Sequence, residues 1–196
     1  DPRDLHSFPT RRSSDLYTKG FIFYPGGKVS PESYAPLARA IAMAGYIAII
    51  ASMPLNLAVF SPNEAEKVIS EYSNVKEWVI GGHSLGGSMA ASFVYNHVDL
   101  TAKLVLLAAY PADSNDLSTF NIKVVSIYGS EDGLLDDSIE KTKSLLPAST
   151  LFIEIEGGNH AYFGYYGEQS GDNPATIPRE QQQSITINAT IGLIES

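Results

Sequence analysis

The chain has 196 residues, of which 44% are hydrophobic and 18% charged, a composition typical of a globular protein with one sizeable core. Its formal net charge of −9 argues against a nucleic-acid or anionic-membrane partner, because either would need clustered lysine and arginine. Cysteine is absent, which excludes disulfides, thiolate metal sites and a cysteine nucleophile, and no apolar run reaches the roughly 18 residues that a transmembrane segment needs.

The first 16 residues are polar and show no periodicity. Residues 6–16, HSFPTRRSSDL, resemble the translation of a sequencing-library adapter. We therefore predict that residues 1–16 are an artefactual or disordered tail and that residues 17–196 form a single α/β domain. For the same reason Arg11 and Arg12 are not interpreted as a twin-arginine export signal.

From Gly20 onward, strand-like segments alternate with helix-like segments. A short apolar strand, 21–24, runs into the loop Pro25-Gly26-Gly27, and a helix begins near Pro31 and ends at Gly45. The continuous apolar run 46–51 is typical of a central parallel strand that is covered on both faces. The remaining predicted elements are a helix to residue 71, a strand at 78–81, a helix to 97, strands at 104–109 and 124–128, a helix at 137–146, a strand at 151–155 and a helix at 178–194.

This alternation predicts an α/β fold with a mostly parallel, doubly wound sheet, since right-handed crossovers place helices on both faces. The connection between residues 109 and 122 is only about a dozen residues long. That length is too short for a lid domain, so we expect an open, shallow site at the carboxyl ends of the strands.

The run Gly82-His83-Ser84-Leu85-Gly86 lies at a predicted turn from a strand into a helix. A Gly-x-Ser-x-Gly turn in this context exposes the serine oxygen on a sharp bend, where a neighbouring base can activate it. The alternative is a glycine-rich turn that binds phosphate or nothing, but neither a phosphate-loop nor a dinucleotide-binding pattern occurs. We predict that Ser84 is a nucleophile.

Four histidines are candidates for the general base. His6 lies in the predicted tail, His83 should point away from its serine neighbour, and His97 suits the carboxyl end of a helix. His160 follows an apolar strand, in a loop at the edge where parallel sheets assemble their sites. We therefore predict His160 as the base.

The orienting acid should come from another strand end, between the nucleophile and the base. Strand 124–128 leads into a loop that contains Asp132, whose alternative interpretation is an ordinary Asp-Gly turn. Glu131 remains the second candidate, and Asp136 and Asp137 are interpreted as helix-capping residues.

Two backbone N–H groups are needed to bind the oxyanion. We predict those of Leu85, directly after the nucleophile, and Gly27, in the loop after the first strand, although a plain turn would also explain the glycines. Apolar side chains in neighbouring loops are candidates for a substrate pocket, although for each one taken singly simple packing is the favoured interpretation: Met53, Leu55, Leu57, Tyr110, Tyr162, Phe163, Tyr165 and Tyr166.

The chain order Ser84, Asp132, His160 resembles that of the α/β-hydrolase superfamily. The runs FIFYPGGKVSPESYAPLA, MPLNLAVF, GGHSLGGSMAA and IEGGNHAYFGYYGEQSGD are similar to its small, lidless, dienelactone-hydrolase-like members, and the resemblance covers nearly everything from Gly20 onward. It implies ester hydrolysis through an acyl-enzyme, with no metal or organic cofactor.

The chain departs from that family in two respects. The N-terminal antiparallel hairpin that normally precedes the first strand is missing, so the strand near Tyr46 is expected at an exposed edge that favours self-association. Dienelactone hydrolases proper carry cysteine where this chain has Ser84, so their lactone substrate is not implied.

Three functions follow from these residues. The first is a serine carboxylesterase that acts on small to medium esters. The second is a peptidase or amidase with the same triad, although no charged specificity pocket is apparent. The third is a catalytically inactive binding module, against which the complete set of catalytic residues argues.

Overall fold

The computed structural model describes residues 17–135 and 138–196, which form a six-stranded sheet in the order β2-β1-β3-β4-β5-β6. Every neighbouring pair of strands is parallel, as the alternation of elements predicted. The predicted tail, 1–16, and the proposed capping residues Asp136 and Asp137 lie outside the described residues. The strands are β1 (Lys19–Tyr24), β2 (Ile47–Ile50), β3 (Glu77–His83), β4 (Lys103–Leu107), β5 (Lys123–Gly129) and β6 (Leu151–Ile155).

The helices alternate with these strands close to the predicted positions. Gly45, two residues after the first helix ends at Met43, has a φ of 98°, a left-handed conformation that glycine adopts at little cost. The helices are α1 (Ala35–Met43), α2 (Glu64–Glu71), α3 (Leu85–Asn96), α4 (Ser138–Ser144) and α5 (Arg179–Glu195). Short 3₁₀ helices lie at Pro31–Tyr34, Pro54–Asn56, Ala58–Phe60, Asp113–Asn115 and Ala161–Phe163.

Helices cover both faces of the sheet, and each face has its own apolar core. On one face α2 and α3 pack against the strands, with Phe93 of α3 buried in the same cluster as Ile22 and Leu104. On the other face α1 and α5 pack, with Ile41 and Ile194 buried beside the opposite side of the strands. The doubly wound arrangement is therefore confirmed.

The position of β2 corrects one expectation. Its apolar run predicted a central strand covered on both faces, but β2 lies at the edge of the sheet, pairs with β1, and has four half-buried residues. In the described part of the chain no strand precedes β1, so the outer side of β2 has no pairing partner there. The exposed edge agrees with the second expectation, and self-association through it stays a prediction.

The carboxyl ends of the strands are left open. Residues 108–122, which connect β4 to β5, contain a single 3₁₀ turn at Asp113–Asn115, and no lid is inserted there. Among the described helices, none combines the length and apolar character needed to cross a membrane.

Candidate active site

Ser84 is the single residue between β3 and α3, and its backbone is strained. Its φ of 52° and ψ of −125° lie where a non-glycine residue is uncommon, and such strain concentrates at functional turns. A Cβ atom at Gly82 would lie 2.5 Å from the backbone of Gly86, and one at Gly86 would lie 2.2 Å from two carbonyl oxygens at the end of β1. Both positions therefore require glycine, and the lack of side chains there lets the turn pack closely against the end of β1.

His160 and Asp132 form a buried pair. His160 Nδ1 lies 2.9 Å from Asp132 Oδ2 and 3.1 Å from Oδ1, and the two side chains are 3% and 1% exposed. Asp132 Oδ1 also accepts a hydrogen bond from the Leu134 N–H at 2.9 Å, which orients the carboxylate. His160 Nε2 makes no hydrogen bond within the described residues, so it is the ring atom available for proton transfer.

Ser84 and His160 line one cavity of about 230 Å³ at the carboxyl ends of the strands. Its other walls come from the start of α3, the residues after β4 and the loop after Asp132: Leu85, Ser88, Ala108, Ala109, Tyr110, Leu134 and Leu135. A larger cavity of about 590 Å³ lies at the amino ends of β3, β4 and β5 and includes none of these residues. Since sites in parallel sheets form at the carboxyl ends, the smaller cavity is the candidate active site.

Gly27 and Leu85, the two residues predicted to supply the oxyanion donors, approach each other closely. We call residues 25–28 the β1 arm; Lys28 in this arm donates its N–H to the Asn56 carbonyl at 2.8 Å. A Cβ atom at Gly27 would lie 3.0 Å from Leu85 Cδ2, so glycine permits the close approach of the arm to α3. Neither the Gly27 nor the Leu85 N–H donates to an acceptor in the described chain, as expected for the first turn of a helix and for a donor kept free.

The predicted pocket residues are only partly brought together. Tyr110 lines the cavity of Ser84, whereas Met53, Leu55 and Tyr162 are not among its lining residues. Met53 is buried in the core beside α2 and α3, whereas the Leu55 side chain is 82% exposed. Tyr162 turns to a different cavity behind the His160 loop, where the Arg179 guanidinium lies 4.5 Å from its ring centroid.

The remaining predicted alternatives occupy other environments. His97 stacks on Phe93 at the end of α3, with ring centroids 4.6 Å apart, and is not among the residues that line the cavity of Ser84. The ring of His160 pairs with Asp132, and no hydrogen bond joins it to Glu131 in the described chain. His83 is fully buried and accepts or donates a hydrogen bond at 2.8 Å to the Tyr34 hydroxyl.

Metal ligands do not cluster in this region. Within residues 17–135 and 138–196, no group of three or more His, Cys, Asp and Glu side chains is arranged to hold a metal ion.

A model of the alpha/beta hydrolase family matches residues 20–184. The chain belongs to this family. No curated protein matches the sequence. The solved structures that share the fold include a predicted CIB-like hydrolase from Thermoplasma acidophilum, at 15% identity and a TM-score of 0.67, covering 93% of this chain and 90% of that one.

Two further neighbours carry more informative names. Est1E of Butyrivibrio proteoclasticus, solved with bound ferulic acid, is 11% identical with a TM-score of 0.66 and 93% coverage of both chains. A carboxylesterase from Mesorhizobium loti is 16% identical with a TM-score of 0.59 and 89% coverage of both chains. At these identities the likeness establishes the fold of this alpha/beta hydrolase and nothing finer.

Asp172, which the sequence did not single out, connects the loops that carry Asp132 and His160. Its Oδ1 accepts the N–H groups of His160 and Gly133, each at 3.2 Å, and its Oδ2 accepts that of Ala161 at 2.8 Å. Asp172 therefore holds the backbone of His160 and of the residue after Asp132 in one arrangement. No local pattern announces this role, because an aspartate in a loop is common.

In this alpha/beta hydrolase, replacing Asp172 by alanine should lower kcat about tenfold to a hundredfold and leave KM little changed. The three N–H groups lose their acceptor, and a small displacement of His160, the predicted base, would cost this much in rate. Steady-state kinetics with a chromogenic ester measures the effect. Asp116→Ala is the matched control, because Asp116 accepts a single N–H in an exposed loop; equal losses in both variants would contradict the role.

Proposed function

We propose that this family member is a serine esterase that cleaves carboxylic esters of small to medium size through an acyl-enzyme. The observation that carries the proposal is the shared cavity of Ser84, on its strained turn, and His160, whose Nδ1 is paired with the buried Asp132 carboxylate. A serine, an imidazole and a carboxylate in this relation are the parts that nucleophilic acyl transfer needs.

The first half of the proposed reaction acylates the enzyme. His160 Nε2 takes the proton of Ser84 Oγ as that oxygen attacks the ester carbonyl, and Asp132 stabilises the imidazolium that forms. The negative charge that develops on the carbonyl oxygen is bound by the N–H groups of Leu85 and Gly27. His160 then gives its proton to the leaving alkoxide, and the alcohol departs.

The second half repeats these steps with water. His160 Nε2 removes a proton from water, the hydroxide attacks the acyl-enzyme, and the same two N–H groups bind the new oxyanion. Collapse of this intermediate returns the proton to Ser84 and releases the carboxylic acid. Every proton in the cycle moves through His160, so no further acid or base is required.

The dimensions of the site support a small to medium substrate. The cavity measures about 230 Å³ and is walled by Tyr110, Leu134 and Leu135, so it presents apolar surface to an acyl or alcohol group. The name of one neighbour, a carboxylesterase, supports the ester class over the amide class.

The test is turnover of p-nitrophenyl esters from acetate to dodecanoate, with the matching p-nitroanilides, by the parent and by Ser84→Ala. We expect turnover of acetate and butyrate esters, a decline toward long chains, and little anilide cleavage. The Ser84→Ala variant should lose essentially all ester turnover. A parent that turns over none of these esters would contradict the esterase function, and preferential cleavage of anilides would indicate an amidase.

A further inference from the structure

A buried tyrosine connects the β1 arm to the strand that carries the nucleophile. Tyr34, in the 3₁₀ helix before α1, is 1% exposed. Its hydroxyl oxygen accepts the Gly26 N–H at 3.0 Å and lies 2.8 Å from His83 Nδ1. Gly26 immediately precedes the proposed oxyanion donor, and His83 immediately precedes the proposed nucleophile.

The protonation of this pair is determined by burial. Burial raises the pKa of the Tyr34 hydroxyl, so the hydroxyl keeps its proton. Burial lowers the pKa of the His83 imidazole well below its usual value of 6.5, and the charge of the nearby His160 lowers this pKa further. An interaction with the His160 backbone acts in the opposite direction and raises it. Both groups are therefore neutral near pH 7, and because the Tyr34 oxygen accepts from Gly26, we assign its proton to the bond with His83 Nδ1.

Gly26 packs closely against both the Tyr34 hydroxyl and the His83 ring. A Cβ atom at Gly26 would lie 2.8 Å from the Tyr34 oxygen and 2.9 Å from His83 Nδ1, so the arm touches both groups directly. The His83 ring also packs against the His160 ring, with centroids 4.6 Å apart. Within the described residues Tyr34 is the only side chain that forms a hydrogen bond with the His83 ring.

We propose that Tyr34 and His83 are positioning residues that fix the β1 arm, and with it the Gly27 N–H, at the distance from Ser84 that the oxyanion requires. The proposal rests on the function proposed above and adds two residues to it. Loss of the Tyr34 hydroxyl leaves the Gly26 N–H buried without an acceptor, so the arm has to move to satisfy it. A displaced donor weakens binding of the transition state more than binding of the ester.

Tyr34→Phe should therefore lower kcat about tenfold to a hundredfold while KM changes less than about twofold. Affinity for a trifluoromethyl ketone, which adds to serine and places an oxyanion between the donors, should fall by a similar factor. Tyr24→Phe is a matched control on the other face of the sheet. The Tyr24 hydroxyl is equally buried, accepts the Ala65 N–H at 2.9 Å and donates to the Pro62 carbonyl at 2.8 Å. The Tyr24→Phe variant should therefore lose thermal stability and keep the kcat of the parent.

Substitutions at His83 test the same bond from the other side. His83→Leu removes the acceptor for the Tyr34 proton and should lower kcat as Tyr34→Phe does. His83→Asn keeps an oxygen near the position of Nδ1 and should retain at least tenfold more kcat than His83→Leu. Combining Tyr34→Phe with His83→Leu should cost little more than either change alone, because the two groups act as a unit.

Amide hydrogen exchange gives a readout that does not depend on activity. The Gly26 N–H should be protected in the parent and in Tyr24→Phe, and should exchange much faster in Tyr34→Phe. If Tyr34→Phe keeps the parent's kcat and inhibitor affinity, or if Gly26 stays protected, the positioning role is overturned. If the parent itself neither reacts with a fluorophosphonate nor cleaves esters, the esterase function fails instead, and the exchange of Gly26 still decides whether Tyr34 orders the arm.

Discussion

Replacing His160 by alanine should lower kcat for ester hydrolysis by about 10⁴-fold or more, because Ser84 then has no base to remove its proton. The ring is the only imidazole in the described chain that lines the cavity of Ser84 and is paired with a buried carboxylate. KM should change little, since the imidazole acts on the reacting atoms. Steady-state kinetics with p-nitrophenyl butyrate measures both parameters.

The control for this substitution is His97→Ala. His97 stacks on Phe93 at the far end of α3, away from the cavity, so its loss should cost some stability and leave kcat unchanged. Parent-like turnover in His160→Ala would remove His160 from the mechanism, and an equal loss in both variants would indicate a folding effect.

Replacing Asp132 by asparagine should lower kcat by about 10³- to 10⁴-fold with little change in overall structure. The amide has almost the shape of the carboxylate, but it offers an N–H where His160 Nδ1 now finds an acceptor, and this favours the tautomer with the proton on Nε2. That tautomer cannot accept the serine proton. The asparagine is also neutral and cannot stabilise the imidazolium.

Glu131→Gln is the matched control, because Glu131 is the neighbouring acid that the sequence left as the second candidate. The structure pairs His160 with Asp132, so Glu131→Gln should keep kcat within about twofold of the parent. A large loss in Glu131→Gln together with a small one in Asp132→Asn would reverse the assignment of the acid.

The elements that sequence reasoning predicted well are those with strong local signals. The strand at Leu151–Ile155 was predicted to the residue, since an apolar run between turn residues has few alternatives. Ser84 was singled out because two glycines, a strand and a helix surround it, and the geometry shows that both glycines are required. Asp132 and His160 followed from their place at strand ends, and the fold brings them into contact.

What the sequence could not supply depends on long-range packing. Tyr34 and His83 are 49 positions apart, and Asp172 reaches the acid loop across 39 positions, so no local pattern could pair them. The edge position of β2 was obscured for a related reason: four apolar residues look alike in a central strand and in an edge strand that is half-covered by helices. Met53 was a pocket candidate because the sequence of an apolar loop residue does not reveal whether it faces the core or the substrate; the structure buries it in the core.

The most direct test of the central claim is reaction of the parent and of Ser84→Ala with a fluorophosphonate, followed by intact-mass measurement and peptide mapping. We expect one adduct per parent chain, located on Ser84, and none on Ser84→Ala. No adduct on the folded parent, or an adduct on any other serine, would contradict the assignment of Ser84 as the nucleophile.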